Sequence, residues 1–134
     1  MNRGEAAEYA KRLRADIRTQ RMALVRDMPE LRDLARLSID CRALCQLAED
    51  SAENDSSGQN RRLLRTVAER ALVLAHLYAQ LERTLEELSG VPPGPRQRRL
   101  YDEFERRQRQ VLSKSREFEI ILDGLIQWAT GDVV

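Results

Sequence analysis

The sequence predicts an all-α fold: an antiparallel bundle of three to four long helices with coiled-coil-like heptad packing. Three observations predict it. Apolar residues recur at spacings of three and four through most of the chain. Only six residues are aromatic (Tyr9, Tyr78, Tyr101, Phe104, Phe118 and Trp128), and Leu, Ala, Arg and Glu abound, which favours helix over sheet. The stretches that interrupt the periodicity, 51–60 and 89–95, are short and rich in Gly, Pro, Ser and Asn. At 134 residues the chain is read as one domain, 1–134.

A first helix is expected over about 5–26. Ala6, Ala10, Leu13, Ile17 and Leu24 share a stripe, and Gln20 stands where an apolar residue would complete it. A polar residue there reads as a partly exposed position at the stripe edge. Arg12, Arg14, Arg18 and Arg21 lie between the stripe residues, interleaved with Glu8 and Asp16. Asp27-Met28-Pro29-Glu30 reads as a helix restart, with Asp27 as cap, Pro29 in the first turn and Glu30 closing a capping box. The alternative is one long helix kinked at Pro29; the break is favoured. The second helix, about 30–50, repeats the spacing through Leu34, Leu37, Cys41, Leu44 and Ala48.

After the 51–60 linker comes the central helix, about 61–88. Its stripe is Leu64, Val67, Ala71, Leu74, Tyr78, Leu81, Leu85 and Leu88. Leu63, Ala68, Ala75 and Leu77 widen it, and Leu72 and Val73 spill further round. A two-stranded seam carries charge at its flanks. This stripe carries mostly aliphatics there, so the helix is expected to touch at least two others. Gly90 is placed as a left-handed stop, and Val91-Pro92-Pro93-Gly94-Pro95 as a stiff connector.

The last helix, about 96–129, has the stripe Phe104, Gln108, Val111, Ser115, Phe118, Leu122, Leu125 and Ala129. Its ends differ in charge. Residues 96–116 hold eight basic and three acidic side chains, whereas 117 onward holds four acidic and no basic ones. Phe118, Ile120, Ile121, Leu125, Ile126 and Trp128 crowd the end and cover more than one face, so they are the expected partner-binding residues. Arg98, Arg99, Arg106, Arg107 and Arg109 form the expected surface for an anionic partner.

Net charge is +1, so the overall balance argues for neither nucleic acid nor a membrane surface. No window is long and apolar enough for a membrane span. The first ten residues do not read as a secretory signal, because Glu5 and Glu8 interrupt them. Two cysteines without a signal suggest a reducing compartment: the cytoplasm by default, with the nucleus or a host cell's interior left open. Cys41 and Cys45 read as buried structural thiols, and the single histidine, His76, as an outer residue. No metal site is expected from two cysteines and one histidine, and no phosphate-binding glycine loop suggests a nucleotide; no cofactor is expected.

Leu13-Arg14 and Arg21-Met22-Ala23-Leu24-Val25 resemble fragments of the first helix of all-helical chorismate mutases. The two fragments stand closer together here than in that family, and its later Lys and Glu positions have no counterpart. The resemblance therefore carries no activity across, but it makes a buried arginine cluster worth seeking.

The function expected from the sequence is non-catalytic protein–protein interaction, as a subunit, adaptor or small chaperone in a homo- or hetero-oligomer. The alternative is nucleic-acid binding through 96–116, and the third class is a helical-bundle enzyme without a recognisable motif.

Overall fold

A computed structural model describes residues 3–26, 29–54 and 58–131. They form four helices: α1 (Arg3–Arg26), α2 (Leu31–Glu53), α3 (Gly58–Gly90) and α4 (Pro95–Thr130). No strand occurs among the described residues.

The apolar stripes became the core. In α3, Leu64, Val67, Ala68, Ala71, Leu74, Ala75, Tyr78, Leu81 and Leu88 are buried, with Tyr78 fully enclosed. Facing them are Leu34, Leu37, Cys41 and Leu44 of α2, and Phe104, Val111, Phe118 and Leu122 of α4. Leu13, Ile17 and Leu24 of α1 close the core from the remaining side. The helices stand in a ring: α3 packs on both α2 and α4, and α1 packs mainly on α4 and only lightly on α2. The diagonal pairs have no close backbone approach among the described residues and meet only through core side chains. Cross-helix contacts fix the directions. Ser38 Oγ donates to the Ala75 carbonyl at 3.0 Å. Gly124 faces Leu63, while a groove further along sets Val73 and Leu77 beside residues 106–114. The start of α3 thus meets the end of α4, the antiparallel arrangement expected for short connections.

Several boundaries differ from the sequence reading, each for a local reason. The second helix runs past residue 50 to Glu53 because Ala52 continues the buried stripe, and Asn54 Nδ2 donates to the Asp50 carbonyl at 2.9 Å. The helix α3 begins at Gly58, so the expected 51–60 linker is helical at both ends; 55–57 lie outside the described residues. At the other connector, Ser89 and Gly90 stay helical, and Pro95 opens α4. Gly90 is not a left-handed stop: the positive-φ glycines among the described residues are Gly94 and Gly131. The prolines at 92 and 93 end α3 instead, since neither offers an amide to continue the ladder.

The chain is broken between α1 and α2, not kinked. Glu30 is the N-cap of α2 with extended backbone, not the third residue of a capping box. Its carbonyl accepts the Asp33 and Leu34 amides at 3.1 and 3.2 Å, and its carboxylate accepts Arg32 Nε at 2.7 Å. The proposed cap, Asp27, lies outside the described residues. Gln20 is buried, not edge-exposed, and its Nε2 finds no hydrogen-bond acceptor. Its place between Ile17 and Leu24 on α1's inner stripe leaves it no route to solvent.

Gly94 caps α4 with φ +155° and ψ −170°, backbone that essentially only glycine adopts. Its carbonyl accepts the Arg98 amide at 3.2 Å, closing the first turn. Gly94→Ala is therefore expected to lower stability by about 1–3 kcal/mol. Gly90→Ala, in ordinary helical backbone with open space around it, should be neutral or stabilising by up to about 1 kcal/mol. Urea melts followed by circular dichroism compare the two.

Candidate interaction surface

The six apolar residues expected to bind a partner do not form one exposed patch. Phe118 and Leu125 are core residues, 1% and 2% exposed. Ile121, Ile126 and Trp128 are half-buried and pack against the core. Only Ile120 projects outward, at 74% exposure the most open large apolar side chain among the described residues. The crowding has a physical reason. The end of α4 is covered on two sides, by the start of α1, where Ala6 and Ala7 meet Ala129 and Trp128, and by Leu63 of α3.

The five arginines expected to face an anion separate as well. Arg107 is spent within its own helix: its Nη2 and Nε reach Glu103 Oε1 at 2.6 and 3.0 Å. Arg98, Arg99, Arg106 and Arg109 are exposed and form no ion pair among the described residues. Arg106 and Arg109 also gain a neighbour that the sequence did not assign to them. With Gln110, Ser113 and Lys114 they wall one side of an open groove of about 430 Å³, whose other side is Val73 and Leu77 of α3. Val73 is 43% exposed, and Leu72 beside it 40%. These are the residues that spilled beyond the α3 stripe. The groove joins an apolar floor to three cations, a combination that suits an apolar side chain flanked by carboxylates.

Sequence reasoning missed an ion-pair ladder between α1 and α4. Arg14 Nη1 bonds Asp123 Oδ1. Both Arg18 and Arg21 reach Glu119, Nε to Oε2 at 3.2 Å and Nη2 to Oε1 at 2.6 Å. The signal was present: Arg14, Arg18 and Arg21 recur at four and three, and Glu119 and Asp123 at four, so each set shares a helix face. The arginines of the chorismate mutase-like fragments are thus tied to carboxylates of the same chain. Gln108, odd in the apolar stripe of α4, donates through Nε2 to the Leu24 carbonyl. That carbonyl is one of the last in α1 and has no partner within its own helix.

The light α1–α2 contact leaves a crevice of about 120 Å³ lined by Tyr9, Arg12, Leu13, Asp16 and Asp40. Tyr9 bridges it, its hydroxyl donating to the Asp40 carbonyl at 3.0 Å. Burial, and then the charge of Asp16, raise the Asp40 carboxyl above its ordinary value, against the lowering effect of Arg36 and Arg12. Cys41 and Cys45 are buried free thiols, with Cys45 Sγ donating to Glu49 Oε1 at 3.7 Å, and burial pushes both thiols upward, which disfavours the reactive thiolate. His76 is exposed on α3. Among the described residues no three His, Cys, Asp or Glu side chains gather as a metal site, and no helix is long and apolar enough to cross a membrane.

Compared with known proteins, the chain matches no family model, and no curated protein or solved structure matches it significantly.

The Asp40 carboxyl holds its proton more tightly folded than unfolded. The stability this gives is present below the ordinary carboxylate value of 3.8 and is lost as pH rises through the raised folded value. Asp40→Asn should therefore raise the melting temperature at pH 7, and the gap to the unsubstituted chain should close near pH 3, about where carboxylates become protonated. Thermal melts across that pH range read the crossover.

Proposed function

We infer that the chain is a non-catalytic protein–protein interaction module that assembles through the outer face of α3 and α4. The observation that carries this reading is the groove between those helices, where exposed Val73 and half-buried Leu77 lie beside Arg106, Arg109 and Lys114. Elsewhere the long stripes are consumed by the chain's own core. Here an apolar side chain stays in water next to Arg106 and Arg109, which form no ion pair among the described residues, an arrangement that gains free energy when a complementary surface covers it. The role is that of an adaptor, subunit or small chaperone holding a partner through helix packing.

A second reading, nucleic-acid binding, draws support from Arg98, Arg99, Arg106 and Arg109. They span about 16 Å of helix at the ordinary rise and hold no internal carboxylate. Asp102 and Glu105 sit exposed within the same span and oppose a phosphate backbone there.

A photo-crosslinking side chain placed at residue 73 is expected to give a protein adduct in the source cells, and the same group at exposed Arg62 is not. Val73→Asp should leave the melt within about 0.5 kcal/mol of the unsubstituted chain, since Val73 is 43% exposed and is not part of the buried core, and should abolish the adduct formed from a crosslinker at residue 110. Equal labelling at 62 and 73 counts against the reading. Retention on heparin that collapses with salt would favour nucleic acid instead.

A further inference from the structure

The outer ridge of α4 carries both halves of a self-complementary contact. Seven-residue steps align Arg106, Ser113 and Ile120 along the helix, drifting only about 20° per step. All three are exposed. Ile120 lies about 10 Å beyond Ser113 toward the end of α4, and Arg106 lies about 10 Å before it. The groove runs from Lys114 and Ser113 back to Arg106, with Val73 and Leu77 on its other wall. The ridge therefore carries an apolar knob on one side of Ser113 and the Arg106 end of the groove on the other.

Charge follows the same symmetry. Arg109 precedes Ser113 by four residues and forms no ion pair among the described residues. Glu117 follows it by four, held only by an exposed pair with Lys114 at 3.3 Å. Such a pair exchanges partners at little cost.

We propose that the groove is occupied by a second copy of this chain, with the two α4 helices packed antiparallel about a twofold axis near Ser113. The axis sets Ile120 of each copy at the level of the other's Arg106, at that end of the groove. It sets Glu117 of each copy opposite the other's Arg109. The contact is isologous, so every favourable pair occurs twice. Ser113, small and central, lets the helices approach. A parallel arrangement would instead set Glu117 beside Glu117 and Arg109 beside Arg109, which selects the antiparallel one. This rests on the α3–α4 face being an interface and names what fills it.

Sedimentation of the purified full chain over a range of concentrations tests the dimer. Arg109→Glu and Glu117→Arg should each weaken it about tenfold or more, and the two together in one chain should restore it, because the reversed charges again meet across the axis. Ile120→Asp should dissociate the dimer without lowering helicity, given its exposure. Ser113→Cys should form an intermolecular disulfide under mild oxidation, whereas Arg62→Cys should not; the native cysteines are buried and stay silent. A monomer at every concentration overturns the proposal, as does a dimer indifferent to the charge reversals. The residue-73 crosslinker then separates the two readings. A monomer that captures a different protein there overturns the second copy and keeps the interaction module. A monomer that captures nothing overturns both.

Discussion

Everything in this molecule depends on α3 having an apolar surface too wide for one neighbour. A stripe limited to the heptad core could be satisfied by a single helix. The stripe of α3 is broadened by Ala68 and Ala75, which are buried, and by Leu63 and Leu77, which are half-buried against the core. It must be covered from two sides, and α2 and α4 do so. Once both are in place, α1 has one position left, against α4 and lightly against α2, and its Ile17 and Leu24 complete the core.

Polar contacts then select among the ways in which four apolar stripes could meet. Apolar packing alone tolerates sliding by a turn, because leucine replaces leucine. Arg18 and Arg21 on Glu119, Arg14 on Asp123, and Gln108 on the Leu24 carbonyl tolerate no such slide. Arg21 and Glu119 are the most enclosed of these, and removing Glu119 would strand Arg21 with little water, a larger penalty than the pair's own contribution. Gln20 runs against this economy, buried with an unpartnered amide nitrogen. The α1–α2 seam has the weakest packing and two neighbouring carboxylates, so local opening is expected to begin there.

The surface reflects the same division. The α3 residues beyond reach of either neighbour, Leu72 and Val73, remain in water. Val73 borders the basic part of α4, not the acidic end, because the antiparallel pair sets the middle of α3 beside residues 106–114. An apolar floor with a cationic wall is a consequence of topology acting on two unrelated sequence features.

The sequence by itself determined the helices and their inward faces, because the three-four spacing is a local property that solvent exclusion reads the same way in any bundle. It also held the charge asymmetry of α4. Helix ends were less legible, since Asn54 on the Asp50 carbonyl and the ordinary backbone of Gly90 depend on side-chain choices that composition does not dictate. Tertiary structure decided which apolar residues are spent and which are left. Phe118 and Leu125 went to the core while Ile120 on the same helix did not, because the direction of a side chain acquires meaning only when a neighbour stands there. It likewise separated Arg107, satisfied by Glu103, from Arg106 and Arg109, whose different angle around the helix leaves them facing the groove.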